Sequence, residues 1–132
     1  AGVPARAGPV AQRVRSALRS PLLRAAAERR HWKEVFVSAR LDGRHVEGFV
    51  DLLVEEPDGS LTVVDYKTDR VDDDATLAAK VEQYTPQLAA YASAVRVATG
   101  RAVDRVALLF CQPDRAVEQR ITLSRPGSAG PG

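Results

Sequence analysis

Cysteine is almost absent: Cys111 is the single one among 132 residues. One thiol cannot close an internal disulfide, complete a cysteine-ligated zinc site or hold an iron–sulfur cluster alone. Cys111 ends an apolar run, so it reads as a buried structural thiol, and a reducing, cytoplasmic setting fits. Aromatic side chains are scarce at 5%, and Trp32 is the one tryptophan. It is expected to anchor a core or a domain contact rather than to act as a stacking platform. No apolar run approaches the roughly 18 residues that span a bilayer, and no secretory leader is visible, so no membrane partner is expected. The Gly-x-x-x-x-Gly-Lys-Ser/Thr pattern is missing, which places any ATPase outside this chain. There is no internal repeat.

The composition that remains is 45% hydrophobic and 27% charged, ordinary for one globular domain of this length. The net charge of +2 is too small to imply an anionic partner. Its distribution says more, because seven arginines (Arg6, Arg13, Arg15, Arg19, Arg24, Arg29, Arg30) precede residue 31 against one acid, Glu28. Such a segment either tracks phosphates or is a solvated helix face.

Residues 1–9, with Pro4, Gly8 and Pro9, read as a linker or a cut end. Residues 10–123 read as the domain, and the Pro-, Gly- and Ser-rich 124–132 as a disordered tail. Within the domain, Val10–Arg19 is expected to be helical. Ser20-Pro21 supplies an N-cap and a first-turn proline for a second helix reaching about Arg30. Glu34–Leu41, His45–Glu56 and Ser60–Lys67 read as strands, separated by Asp42-Gly43 and by Pro57-Asp58-Gly59. Asp72-Asp73-Asp74 leads into a helical region as a solvated, helix-capping loop. A new helix is expected to begin at Thr85-Pro86 and to end at Gly100. Val103–Cys111 and Val117–Leu123 complete the set as strands. This order predicts an α/β fold with a mixed central sheet flanked by helices.

The chemistry gathers on the third strand. Alternation puts Asp65 and Lys67 on one side and Tyr66 on the other. Pro57-Asp58-Gly59 suits a three-residue loop, a type I turn followed by a left-handed glycine bulge. Counting back from Glu56 opposite Ser60 then brings Asp51 opposite Asp65, with Cβ atoms about 5 Å apart. A loop one residue shorter or longer would send Asp51 to the other face. Two carboxylates that close either raise a pKa or capture a cation. Hard divalent ions take such oxygen ligands and bind substrate phosphates directly. The chain holds sixteen arginines and three lysines, so an amine at position 67 is a minority choice that favours a compact, tunable group. Taken alone, Asp65-x-Lys67 reads as a strand-end ion pair.

Three blocks in order carry a family resemblance: Gly48-Phe49-Val50-Asp51-Leu52, Val63-Val64-Asp65-Tyr66-Lys67-Thr68-Asp69 and Gln87-Leu88-Ala89-Ala90-Tyr91. The stretch from Trp32 to Phe110 resembles the PD-(D/E)xK nuclease superfamily. Within it, the likeness is to the RecB-like branch at the C-terminus of bacterial helicase–nucleases (UvrD/AddA-type). The resemblance implies a restriction-endonuclease-like core and hydrolysis of DNA, on single strands delivered by a helicase motor in the same or a partner polypeptide. It implies Mg²⁺ or Mn²⁺ held by Asp51, Asp65 and the Tyr66 carbonyl, with no iron–sulfur cluster, and Lys67 serving the nucleophilic water. It also implies that Gln87 and Tyr91 contact DNA or steady the site, and that Glu34 matches a family acid before the first strand. Val50 stands where the superfamily name has proline. The branch also carries a metal-binding histidine on an upstream helix, which His31 and His45 lie too close to the strands to match. The expectation is therefore a fragment that begins after that helix, with a catalytically inactive DNA- or partner-binding module as the rival reading.

Other polar residues have plainer expectations. His31 and His45 read as surface or edge-strand residues. Tyr84, one turn before Leu88, is expected to pack, and Asp69 to end the strand.

Overall fold

The strand run and the helices sort as alternation and capping chemistry require. The computed structural model describes residues 7–123, with side chains from residue 12 onward. The expected tail 124–132 and the first six residues of the expected linker lie outside the described residues. Two helices lead, α1 (Ala7–Leu18) and α2 (Pro21–Ala27). Residues 7–9 are thus helical rather than linker, with Pro9 in a first turn where a missing N–H costs no helical bond. Ser20 caps α2 by accepting from Leu23 N–H at 3.2 Å.

Five strands form one sheet in the order β1 (His31–Leu41), β2 (Arg44–Glu55), β3 (Leu61–Lys67), β4 (Arg105–Cys111) and β5 (Ala116–Thr122). All neighbours are antiparallel except β3 and β4, which run parallel. A parallel pair needs a long crossover, supplied here by α3 (Asp74–Thr99). Asp42 and Gly43 both take positive φ, +49° and +78°, matching the twist a two-residue hairpin demands. The second hairpin has the three-residue loop expected: Gly59 N–H returns to Glu56 O at 2.9 Å, Gly59 takes φ +87°, and Glu56 N–H meets Ser60 O at 2.8 Å.

The expected helix start after the acidic run is also corrected. No helix begins at Thr85-Pro86, because α3 runs unbroken through Pro86. Proline inside a helix typically costs ~3 kcal/mol. Downstream burial of Leu88, Ala92, Ala94 and Val95 holds the helix together. The Thr85 hydroxyl also donates to Val81 O at 2.6 Å, giving that turn a side-chain bond beside the lost backbone one. Asp73 is the N-cap, accepting from Thr76 N–H at 2.7 Å, and left-handed Gly100 closes the helix.

The sheet buries both faces. On the α3 side pack Val37, Val50, Leu53, Val63, Leu88, Val95, Leu108 and Phe110. On the α1/α2 side pack Ala17, Leu22, Ala26, Leu52, Val54, Val64, Leu109 and Cys111. Cys111 is a buried free thiol, and burial raises its pKa. Trp32 is not a core anchor: it is 38% exposed, with the Arg30 guanidinium 5.6 Å from its ring centroid. Among the described residues, no helix is long and apolar enough to cross a membrane.

The same clusters reveal a break in alternation. Val50 packs on the α3 side, whereas Leu52 packs on the other, although residues two apart in a strand share a face. The partner strand breaks at the matching place, since Val35 pairs with Val50 and Lys33 with Leu52. Between them Glu34 and Asp51 drop out of the ladder, and Glu34 adopts φ +50°, a left-handed value uncommon for a side chain with a Cβ. Both strands turn over together at this pair.

Candidate active site

The site lies at the C-terminal end of β3, where β2 leaves it. Pairing between the two strands runs from Glu55 and Leu61 to Leu52 and Val64. One further step of the same register brings Asp51 to Asp65. Because β2 turns over at Asp51, that side chain takes the place of a backbone partner: Tyr66 N–H donates to Asp51 Oδ2 at 2.8 Å. The Asp51 carboxyl adjoins that of Asp65 closely enough to act on its ionisation. Lys67 Nζ lies 2.8 Å from Asp65 Oδ2, and both side chains are largely covered.

Burial, and next the adjoining Asp51 carboxyl, push the Asp65 carboxyl up from 3.8 to about 6, against the opposing pull of Lys67. Asp65 Oδ2 is buried and, despite the nearby ammonium, accepts no well-directed hydrogen bond. A carboxylate oxygen with unused acceptor capacity, beside a second carboxyl, is the donor chemistry that suits a hard divalent cation. Asp51 and Asp65 therefore fit such an ion. Among the described residues no three His, Cys, Asp or Glu side chains are grouped to hold one. Glu34, across from Asp51 in the register, is exposed and is not drawn in with the two aspartates.

Gln87 and Tyr91 lie on α3 above the sheet. Gln87 is exposed, while Tyr91 is partly covered and packs against the core. A Cβ at Gly48 would lie 2.5 Å from the Tyr91 hydroxyl oxygen and 3.1 Å from Cζ. The glycine of Gly-x-x-Asp is thus the seat for the tyrosine of Gln-x-x-x-Tyr. We expect Gly48→Ala to cost about 1–3 kcal/mol in chemical denaturation through overpacking. Tyr91→Phe in that background should recover part of the loss; no recovery would mean that the contact is not the cause.

His31 and His45 are at the surface, bonding Arg29 O at 2.9 Å and Glu47 at 3.0 Å respectively. Three further residues adjoin the site: Lys80, which did not stand out in the sequence, Tyr84, which was expected to pack, and Asp69, which was expected to end the strand. The Tyr84 hydroxyl donates to Asp69 Oδ2 and Oδ1 at 2.8 and 3.0 Å. Lys80 Nζ sits 3.1 Å from Asp69 Oδ2, and Lys67 Nζ lies 4.0 Å from the Tyr84 ring centroid. The available signal was helical spacing, because Lys80, Tyr84, Gln87 and Tyr91 recur along one face of α3. A helix start expected at Thr85-Pro86 cut that face in two.

Comparison with known proteins places the chain in a family. The family model of the PD-(D/E)XK nuclease superfamily matches residues 3–129. Three curated relatives each bear the name of one of the subunits of an ATP-dependent helicase/nuclease, the same one in all three. That of Carboxydothermus hydrogenoformans is 42% identical over 72 residues, which cover 54% of this chain and 6% of the relative. That of Bacillus pumilus is 37% identical over 86 residues, 59% of this chain and 7% of the relative. That of Listeria welshimeri is 34% identical over 70 residues, 49% of this chain and 6% of the relative. The chain therefore aligns with only a small part of these proteins. Among solved structures, SSO0001 aligns with 87% of this chain and 48% of its own at 19% identity and a TM-score of 0.44. With the family model spanning nearly its whole length, this chain belongs to the PD-(D/E)XK nuclease superfamily.

Proposed function

We propose that the chain hydrolyses phosphodiester bonds in DNA as the exonuclease part of a cytoplasmic helicase–nuclease, acting on single strands in DNA repair or recombination. The observation that carries this reading is the meeting of the Asp51 and Asp65 carboxyls beside the Lys67 ammonium. Asp51 and Asp65 would hold Mg²⁺ or Mn²⁺. The Tyr66 carbonyl would join them, since it lies on the same edge of β3 as the N–H that Asp51 takes. Glu34 is a more distant candidate ligand. A bound divalent ion supplies a water of lowered pKa and neutralises charge building on the phosphate. Lys67 orients or deprotonates the attacking water, or balances charge as the bond breaks. Gln87 and Tyr91 line the approach from α3, where they contact the strand or brace the site. The names of the helicase/nuclease relatives support the link to a motor domain, which would feed the strand to the carboxylates.

The test is cleavage of single-stranded DNA with Mg²⁺ or Mn²⁺, alongside calorimetric Mn²⁺ titration. Asp51→Asn should lose Mn²⁺ uptake and reduce cleavage by about 10²–10⁴-fold. Full cleavage by that variant would sink the reading. A parent chain that takes up Mn²⁺ but never cleaves would be the inactive binding module instead.

A further inference from the structure

We propose that Tyr84, anchored by Asp69, is a positioning residue for Lys67, its ring face setting where the ammonium stands. This rests on the nuclease reading above and adds Tyr84, which lies outside the motif blocks, and a role for Asp69, which closes the second of them. Lysine carries its charge on a flexible four-carbon stem, so one partner leaves the ammonium free to swing. Lys67 has two. Asp65 Oδ2 lies 2.8 Å from Nζ, and the Tyr84 ring centroid 4.0 Å away, within the range where a ring face attracts a cation. A carboxylate on one side and a π-face on the other define a position, where either alone would define only a direction.

The ring is itself held at both ends. Its Cα belongs to α3, whose next turn carries the fully buried Leu88. Its hydroxyl is shared between the two oxygens of Asp69, two residues past Lys67, and Lys80 Nζ at 3.1 Å holds that carboxylate in turn. A tyrosine that only packed would not need its hydroxyl tied to the segment leaving the catalytic strand. The arrangement couples α3 to the end of β3 through a ring on which the Lys67 ammonium rests.

The clamp is tested by proton NMR of the full chain together with cleavage kinetics. Only Lys33, Lys67 and Lys80 contribute lysine signals, so the Lys67 side-chain methylenes can be assigned by comparison with Lys67→Arg. The ring current of Tyr84 should move them upfield in the parent chain, only partway in Tyr84→Phe, which keeps the ring but loses its tie to Asp69, and not at all in Tyr84→Leu. With Mn²⁺ and single-stranded DNA, Tyr84→Leu should lose roughly tenfold in kcat with little change in KM, while Tyr84→Phe stays within about threefold of the parent. Asp69→Ala, which frees the hydroxyl without touching the ring, should reduce the displacement partway. A displaced Lys67 signal that survives Tyr84→Leu would overturn the proposal, as would Tyr84→Phe falling as far as Tyr84→Leu. Should Lys67→Ala cleave as well as the parent, the catalytic reading of the lysine fails, and the NMR displacement still decides whether the ring holds the ammonium.

Discussion

Asp65→Asn is expected to lose about 10²–10⁴-fold in cleavage and yet to melt at a higher temperature than the parent chain at pH 7 without divalent ions. Both effects have one origin. Folding covers Asp65 and places it against Asp51, which pushes its carboxyl up from 3.8 to about 6. The folded chain therefore binds this proton more tightly than the unfolded chain does. The resulting stabilisation is complete below about pH 4 and is lost as pH rises through 6. By pH 7 the ionised group therefore leaves the native state less stable against unfolding than it is at acid pH. Asparagine keeps the shape, can donate to Asp51 and never ionises. Melting curves from pH 4 to 8 in the presence of a chelator should show the parent losing stability across that span and the variant staying flatter. Added Mn²⁺ should raise the parent melting temperature and leave the variant unmoved. An asparagine variant less stable than the parent at pH 7 in chelator would rule out the strained-acid account.

Lys67→Ala is expected to reduce cleavage by a similar factor, about 10²–10⁴-fold, for a different reason. Mn²⁺ uptake should persist, because both aspartates remain, whereas Asp51→Asn abolishes it. Folding should change little, since Asp65 can take a proton once its cationic neighbour is gone. Lys67→Arg should not restore activity. A guanidinium stays charged at any working pH and is planar and broader than an ammonium. The ammonium now sits between Asp65 Oδ2 and the face of Tyr84. Single-turnover cleavage across metal concentrations separates loss of chemistry from loss of metal binding. Arginine restoring the rate to within a few-fold would mean that position 67 supplies charge alone.

Much of the site was legible because strand pairing is arithmetic once a turn is identified. Pro57-Asp58-Gly59 determines the loop length, the loop length determines the register, and the register brings residue 51 to residue 65. The apolar runs likewise placed five strands and their order in the chain. What escaped depends on contacts between distant segments. Pro86 looks like a helix start locally, but burial of Leu88, Ala92 and Val95 overrides that preference. Trp32 looks like a core residue by type and ends on the edge strand of the sheet. Tyr84 and Asp69 are ordinary residues apart, and their role shows only when α3 lies across the end of β3. The overturned pair at Glu34 and Asp51 has no local signature, because each strand alone reads as an unbroken run.

That double crossing gives the hairpin the topology of a ribbon with a half-twist. Beyond it, towards the Asp42-Gly43 tip, the wing shows Phe36 and Phe49 to solvent, edge to face at 5.4 Å, and presents its inward residues to α3. On the near side β2 sends Leu52 and Val54 into the opposite layer and Leu53 toward α3. An evolutionary graft or engineered exchange of this wing must carry residues 34 and 51 as a matched set. Transplanting one without the other would swap inside for outside along a whole arm of the sheet and swing the Asp51 carboxyl away from Asp65.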